Sequence, residues 1–424
     1  MTLPERFRYA SVAERRVMLR SAAAAGGHPL GDAEHAATGA PADALDLADL
    51  MVESAVGVLS VPLGIAAGFL IDGREHAVPM ATEEPSVIAA ATHAARLVRR
   101  GGGFTTSGGL PLATVQVFVD GAADAAERVR AAEPAIREHV DAAVPTLVAR
   151  GGGYRGLRVL PLPASGVLKV EVDLDARDAM GANKVNTAGE ALRPLLERTG
   201  GGTVLMSIVT NASRHNVCTA RFSCPDELLA RAGRNGAQMA ERVVRATAVA
   251  ADDPDRAVTH NKGIMNGIAA VALATGNDTR AVEAAAHLHA GRSGRYGPLS
   301  SFRREDGGLV GELSVPIPLG SVGGATSVHP GARFALQVLG NPGARRLARI
   351  ACAAGLAQNL AALMALVGEG IQRGHLRLHA RRLAFQAGAR GPEVERVAGR
   401  IAAAGTVDGD AAAAALAELR RSES

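Results

Sequence analysis

At 424 residues the chain is longer than one hydrophobic core usually organises, so about two or three domains are expected. A net charge of +4, and no basic run interleaved with the sparse aromatics, argue against a nucleic-acid footprint. Cys218, Cys224 and Cys352 are odd in number and lack CxxC spacing, which argues against a disulfide framework and a structural zinc site and points to a reducing cytoplasm.

Residues 11–54 read as short Ala-rich helices behind a charged N-terminus with no signal-peptide core. The apolar run Ala55–Ile71 is interrupted by Ser60, Pro62 and three glycines, so residues 55–80 read as strands and turns instead of a membrane span. Pro85 opens a helix that runs to Arg100, and Gly101–Gly103 end it. From residue 113 to about 211 the pattern is strand, helix, strand, strand, helix, strand. Within it, 167–174 alternates Leu168, Val170, Val172 and Leu174 with Lys169, Glu171 and Asp173, as a half-buried strand does, and a helix follows from about Gly181 to Arg198. A more polar helix at 225–250 precedes 264–274, which is apolar on nearly every side and reads as a helix buried all round. The tail from Gly374 onward is basic, then Ala-rich and helical.

Of the 46 basic residues only Lys169, Lys184 and Lys262 are lysine, a bias that fits genome composition better than chemistry, and each is a site worth examining. Lys262 stands in THNKGIMNG, beside His260, Asn261 and Asn266, where a partly desolvated ammonium is suited to polarise a carbonyl oxygen; the plain alternative is a snorkelling helix-end lysine. Glu83 and Glu84 precede Pro85, where acids also complement a helix dipole. In TGNDTRAVEA, Asn277 can cap the next helix with Asp278 in its first turn. Sixteen residues separate Lys262 from Asp278, about 24 Å along a straight helix, so a shared site needs a chain reversal or two subunits. His375 and His379 lie four apart in a basic segment, a spacing that also fits a solvated helix face. Gly151, Gly153 and Gly156 match GxGxxG but follow a helical stretch, which is the wrong context for a dinucleotide fingerprint. DARDAMGAN, between a strand and a helix, is better placed to meet a pyrophosphate, although an ordinary strand-to-helix turn explains it equally well; the run GSVGGAT at 320–326 permits close backbone approach.

The segments ESAVG (53–57), VPMATEEPSVIAAA (78–91), GGFTTSGG (102–109), DAMGANKVN (178–186), THNKGIMNG (259–267), ATGND (274–278), SVGGAT (321–326) and GIQRGHLRLHAR (370–381) together resemble the class II, mainly bacterial, form of 3-hydroxy-3-methylglutaryl-coenzyme A reductase, from about residue 40 to 405. The resemblance implies an NAD(P)H-dependent oxidoreductase that interconverts the acyl-CoA with mevalonate plus coenzyme A by two hydride transfers. It matches the family's catalytic residues to Glu84, Lys262, Asp278 and His375. It matches substrate contacts to Ser86, Asn211, Arg256 and Asn266, with Arg8 toward the coenzyme A phosphates. It brings Asp178, Met180, Gly181, Asn183, Gly323 and Gly324 to the dinucleotide, and no metal is expected. The implied fold is α+β: a large domain (1–109 and 213–372) around a buried central helix, an inserted ferredoxin-like cofactor domain (110–212) and a helical C-terminal flap (373–424).

The same resemblance implies a homodimer or higher homo-oligomer with sites between subunits, in the cytoplasm, without nucleic acid or membrane. Where NADH-preferring relatives carry an acid, this chain has Val144, with Asp141 nearby; the cofactor is read as NADH, with NADPH as the alternative. A non-redox acyl-CoA lyase or thioesterase is the competing activity, and a nicotinamide absorbance assay separates the two.

Overall fold

The structure, a computed structural model, describes residues 7, 9–25, 42–122, 124–368 and 370–422, with only the backbone described over 371–378. Among the described residues, ten strands form two sheets. The first has the order β2-β1-β3-β8-β10-β9, from β1 (Leu63–Ile71), β2 (Arg74–Ala81), β3 (Phe104–Gly108), β8 (Val217–Pro225), β9 (Ser300–Glu305) and β10 (Gly308–Pro316). Its pairs are antiparallel except β1 with β3, which the helix Val87–Arg100 and the strand β2 separate in the chain.

Between β3 and β8 lies a complete second unit. It runs β4 (Leu112–Asp120), helices over Ala126–Val148, β5 (Gly153–Leu162), β6 (Val167–Asp175), helices over Ala182–Gly200 and β7 (Thr203–Val209). The sheet order β5-β6-β4-β7, antiparallel throughout, is the ferredoxin-like arrangement. The GxGxxG run leads into the strand β5 and not into a helix, as its context implied. Among the described residues three extended hydrophobic clusters, beside a small one of Ala81, Ala274 and Ala335, mark the units: a large one, one confined to 115–204, and one within the three helices Ile371–Gln386, Pro392–Ala403 and Gly409–Ser422. Each extended cluster is an independent core.

Four local readings change, beside the helix expected over 225–250, which begins only at Gly236 and runs to Asp252. The helix expected to start at Pro85 starts at Val87, because Ser86 takes a left-handed conformation (φ 74°). The helix expected over 181–198 is two, Ala182–Ala191 and Arg193–Gly200, since Pro194 lacks the N–H that would continue the first. The strand β6 is buried on both faces: Glu171 is 1% exposed. Arg158 spans Glu171 (3.0 Å) and Asp173 (2.8 Å), and Arg214 and His215 fold down from the segment after β7, so that face is covered by its own counter-ions.

The central helix, Pro254–Ala274, is the fourth. It packs closely on the core helix Ala344–Val367: a Cβ at Gly267 would stand 2.7 Å from the carbonyl oxygen of Ala354. It is not buried all round. Lys262, Asn266, Ala269 and Leu273, spaced as one helical face, stay wholly or partly open, with Leu273 43% exposed. The core helix is long and apolar enough to cross a membrane by composition, but most of it is enclosed by the fold.

Candidate active site

The hairpin of β1 and β2 delivers Thr82–Ser86 to the open face of the central helix. Thr82 Oγ1 accepts the Glu84 N–H (3.1 Å), which turns the chain, and Ser86 is then held left-handed with its hydroxyl unused as a helix cap. Positive φ at a serine is uncommon and costly, and such residues concentrate at functional sites. Lys262 and Asn266, one turn apart in the central helix, both reach Glu84: Lys262 Nζ lies 2.5 Å from Oε2 and Asn266 Nδ2 donates to Oε1 at 3.1 Å. Both carboxylate oxygens are therefore fixed. THNKGIMNG thus lies inside the helix, with Lys262 in its third turn and 59% exposed at the side chain. Arg256, Ser86, His260 and Gln358 line the same cleft, of about 450 Å³.

His260 is buried beneath the cleft. Its Nε2 is 2.6 Å from Ser300 Oγ, which donates to Asn359 Oδ1 at 2.7 Å. Burial, reinforced by the Arg256 charge, pushes its pKa down to about 4, so the imidazole is neutral near pH 7.

Asp278 is not brought to Glu84 and Lys262 within the chain. It is itself the cap of the helix Thr279–Ala290, accepting the Arg280 N–H (2.9 Å) and the Ala281 N–H (3.1 Å) and pairing with the Arg280 side chain (3.2 Å). Burial would raise its pKa, but these bonds outweigh it and hold the carboxyl below the usual range. Asn277, expected as the cap, instead clamps Gly320 through its N–H (2.7 Å) and carbonyl (3.0 Å). Asn211 is likewise elsewhere, in a pocket with Met180 beside Pro111 and Leu319.

The DAMG turn and the glycine loop are joined. Ser321 N–H donates to the Asp178 carbonyl (2.8 Å), and Ala179 bridges to Val322. Gly181 is left-handed (φ 89°), and the helix behind it has no side-chain N-cap, so its first N–H groups, with exposed Asn183 and Lys184, have the donor chemistry a pyrophosphate needs. Gly323 and Gly324 are both at positive φ, and a Cβ added at either would meet nothing within 4 Å, so that backbone is open to a ligand. Arg8 lies outside the described residues, and so does the side chain of His375, whose backbone belongs to the helix Ile371–Gln386.

Residues 11–380 match the family model for hydroxymethylglutaryl-coenzyme A reductase. The 3-hydroxy-3-methylglutaryl-coenzyme A reductase of Archaeoglobus fulgidus is 45% identical over 382 residues, covering 89% of this chain and 86% of its own. The probable reductase of Borreliella burgdorferi is 33% identical over 333 residues, 78% of this chain and 77% of its own. A solved class II reductase of Streptococcus pneumoniae, described as bound to NADPH in open conformations, superposes with a TM-score of 0.75 at 38% identity, covering 97% of this chain and 100% of that one. The chain belongs to the hydroxymethylglutaryl-coenzyme A reductase family. It is an NAD(P)H-dependent oxidoreductase that interconverts the hydroxymethylglutaryl thioester with mevalonate and coenzyme A.

For a reductase of this family the Glu84 cleft supplies a cation, a carboxylate and an amide around one point. Gln358 and Asn359 were not foreseen from sequence, yet they are an adjacent polar pair in the apolar core helix, which is a usable signal. At the position of the expected acidic selector, Val144 is wholly buried. Asp141 Oδ1 is occupied by the Tyr154 N–H (2.8 Å).

Proposed function

We propose that reduction takes place at Glu84, Lys262 and Asn266 of one subunit, completed by Asp278 of a second, with 110–212 as the dinucleotide-binding domain and 373–424 as a flap over the site. The convergence of Lys262 and Asn266 on the two oxygens of Glu84 carries this reading. Two reduced nicotinamides, bound in succession at the DAMG turn and glycine loop, would each supply one hydride. The Lys262 ammonium donates to the oxyanion that develops as the thioester becomes a hemithioacetal, and again as the aldehyde becomes the alcohol. A protonated Glu84 delivers its proton to the aldehyde oxygen and is left as the carboxylate that Lys262 and Asn266 hold. His375 protonates the departing thiolate, a task suited to an imidazole, whose unperturbed pKa lies near 6.5. Arg256 and Ser86 hold the acyl carboxylate, Asn211 reaches the acyl group from the dinucleotide side, and Arg8 meets the coenzyme A phosphates.

The second subunit follows from the open stripe on the central helix. Lys262 stands near one end of it and Asp278 just beyond the other, with Ala270 midway in sequence. A second copy packed antiparallel across this face, about a twofold near Ala270, covers Leu273 and carries the partner subunit's Asp278 toward Lys262.

Cofactor discrimination is modest. Neither buried Val144 nor Asp141, engaged by Tyr154, offers a free carboxylate to repel a 2′-phosphate. Oxidation of mevalonate plus coenzyme A, with NAD and NADP supplied separately and followed by nicotinamide absorbance, tests both points. Turnover with each is expected, with kcat/KM values within about a thousandfold, roughly 4 kcal/mol; a wider ratio refutes the cofactor reading, and no turnover with either refutes the assignment of the site.

A further inference from the structure

We propose that Asp178, within the dinucleotide turn, is also a positioning residue, a latch that joins the DAMG turn to two separate segments. It rests on the dinucleotide reading of that turn. The core helix begins at Ala344 behind Gly343, which provides no side-chain cap, and the missing acceptor comes from 166 residues away: Asp178 Oδ1 takes the Ala344 N–H at 2.9 Å. A carboxylate at this helix end also meets the positive pole of the dipole. The Asp178 carbonyl meanwhile accepts Ser321 N–H (2.8 Å) and Val322 N–H (3.3 Å). The side chain thus fixes the turn to the core helix while the backbone fixes it to the glycine loop.

Two glycines fit this latch. A Cβ at Gly343 would stand 2.7 Å from Asp178 Oδ1, although its φ of −65° accepts any residue. A Cβ at Gly320 would stand 2.5 Å from the Met180 backbone nitrogen, and Asn277 holds Gly320 against the turn from the other side. With β6 ending at Asp175 and the next helix starting after left-handed Gly181, the short link between them takes its direction from these contacts.

Asp178→Asn keeps a carbonyl acceptor for the Ala344 N–H, whereas Asp178→Ala removes it. The KM for the dinucleotide is expected to rise about tenfold in Asp178→Ala, the scale of a lost cap, and clearly less in Asp178→Asn, with the KM for the acyl-CoA unchanged in both. Gly343→Ala, which displaces the carboxylate without touching its charge, should reproduce the Asp178→Ala rise. Equal damage from Asp178→Asn and Asp178→Ala overturns the latch in favour of a direct charge contact, and an Asp178→Ala enzyme unchanged in both Tm and KM overturns it outright. A fall in Tm with no change in dinucleotide KM refutes the positioning role and, separately, the placement of the dinucleotide at this turn.

Discussion

Two inactive variants, Lys262→Ala and Asp278→Ala, should restore each other when their subunits are exchanged. Each alone loses turnover by about two to three decades, the usual cost of one missing group in a charge-stabilising site. In the chain as folded, Asp278 caps the helix after the central one, and its carboxylate is occupied by two N–H groups and Arg280. Lys262 lies twelve residues, about 18 Å at 1.5 Å per residue, before the end of the central helix at Ala274, beyond which Asp278 sits, and no aspartate side chain spans that length. With equal amounts and random pairing, about half of the dimers are hybrids. In a hybrid one site pairs native Lys262 with native Asp278 from the opposite chain, and the other site lacks both. Specific activity after co-refolding or co-expression should therefore reach about a quarter of the unmodified enzyme. Mixing Lys262→Ala with Glu84→Ala is the control: those residues meet within one chain, so no recovery is expected. Activity of the first mixture no higher than that of its parents would refute the shared site.

Lys262→Arg should remain folded yet lose roughly two to three decades of turnover, because a planar fork cannot place one compact donor where the ammonium stands; near-normal turnover removes Lys262 from the mechanism. His375→Gln should depress thioester reduction far more than reduction of free mevaldehyde, which has no thiolate to protonate, whereas His379→Gln, at an exposed histidine beside Arg382, should change both little. Glu171 supplies a stability test. Burial would raise its carboxyl, but hydrogen bonds from Gln116, Arg158 and Lys169 bring it down to about 2 from 4.5. Its contribution is then complete above about pH 4.5 and is lost as the pH falls toward 2. Denaturant midpoints of Glu171→Gln should fall less steeply over that interval than those of the unmodified protein; equal slopes show that Glu171 does not govern acid sensitivity.

The parts of the fold that local periodicity encodes were legible. The βαββαβ order of the inserted unit is written in alternating apolar residues, and the sheet order follows from that topology. What failed was any inference about which side of an element faces water. The strand β6 alternates apolar and charged residues as a solvent-facing strand would, but its charged face is covered by Arg158, Arg214 and His215 from other segments. In the central helix the opposite happened: small and apolar residues implied full burial, yet Ala269 and Leu273 stay open because no element among the described residues packs over them. Hydropathy reports what a surface prefers, not what arrives to cover it, and an apolar stripe uncovered by the described elements is the form in which the proposed subunit contact would reach the sequence. Asp178 was legible as part of a motif but not as a helix cap, because the helix it caps begins at Ala344 and nothing local connects the two.

The rarity of lysine was the sharpest compositional signal, and the three lysines show how far such a signal reaches. Lys262 pairs with Glu84 in the candidate site, and Lys184 stands exposed in the first turn of the helix behind Gly181, where a phosphate is proposed to sit. Lys169 does neither. It lies on β6, largely enclosed, 3.2 Å from Glu171, whose other oxygen is held by the Arg158 and Arg214 guanidinium groups. A third guanidinium at that point would add a planar group to a face already crowded by two, whereas an ammonium on a narrow stem fits as a single point charge. A compact cation is thus called for by the proposed chemistry at Lys262 and by packing at Lys169. Composition finds such positions, and only the surrounding geometry separates the two causes.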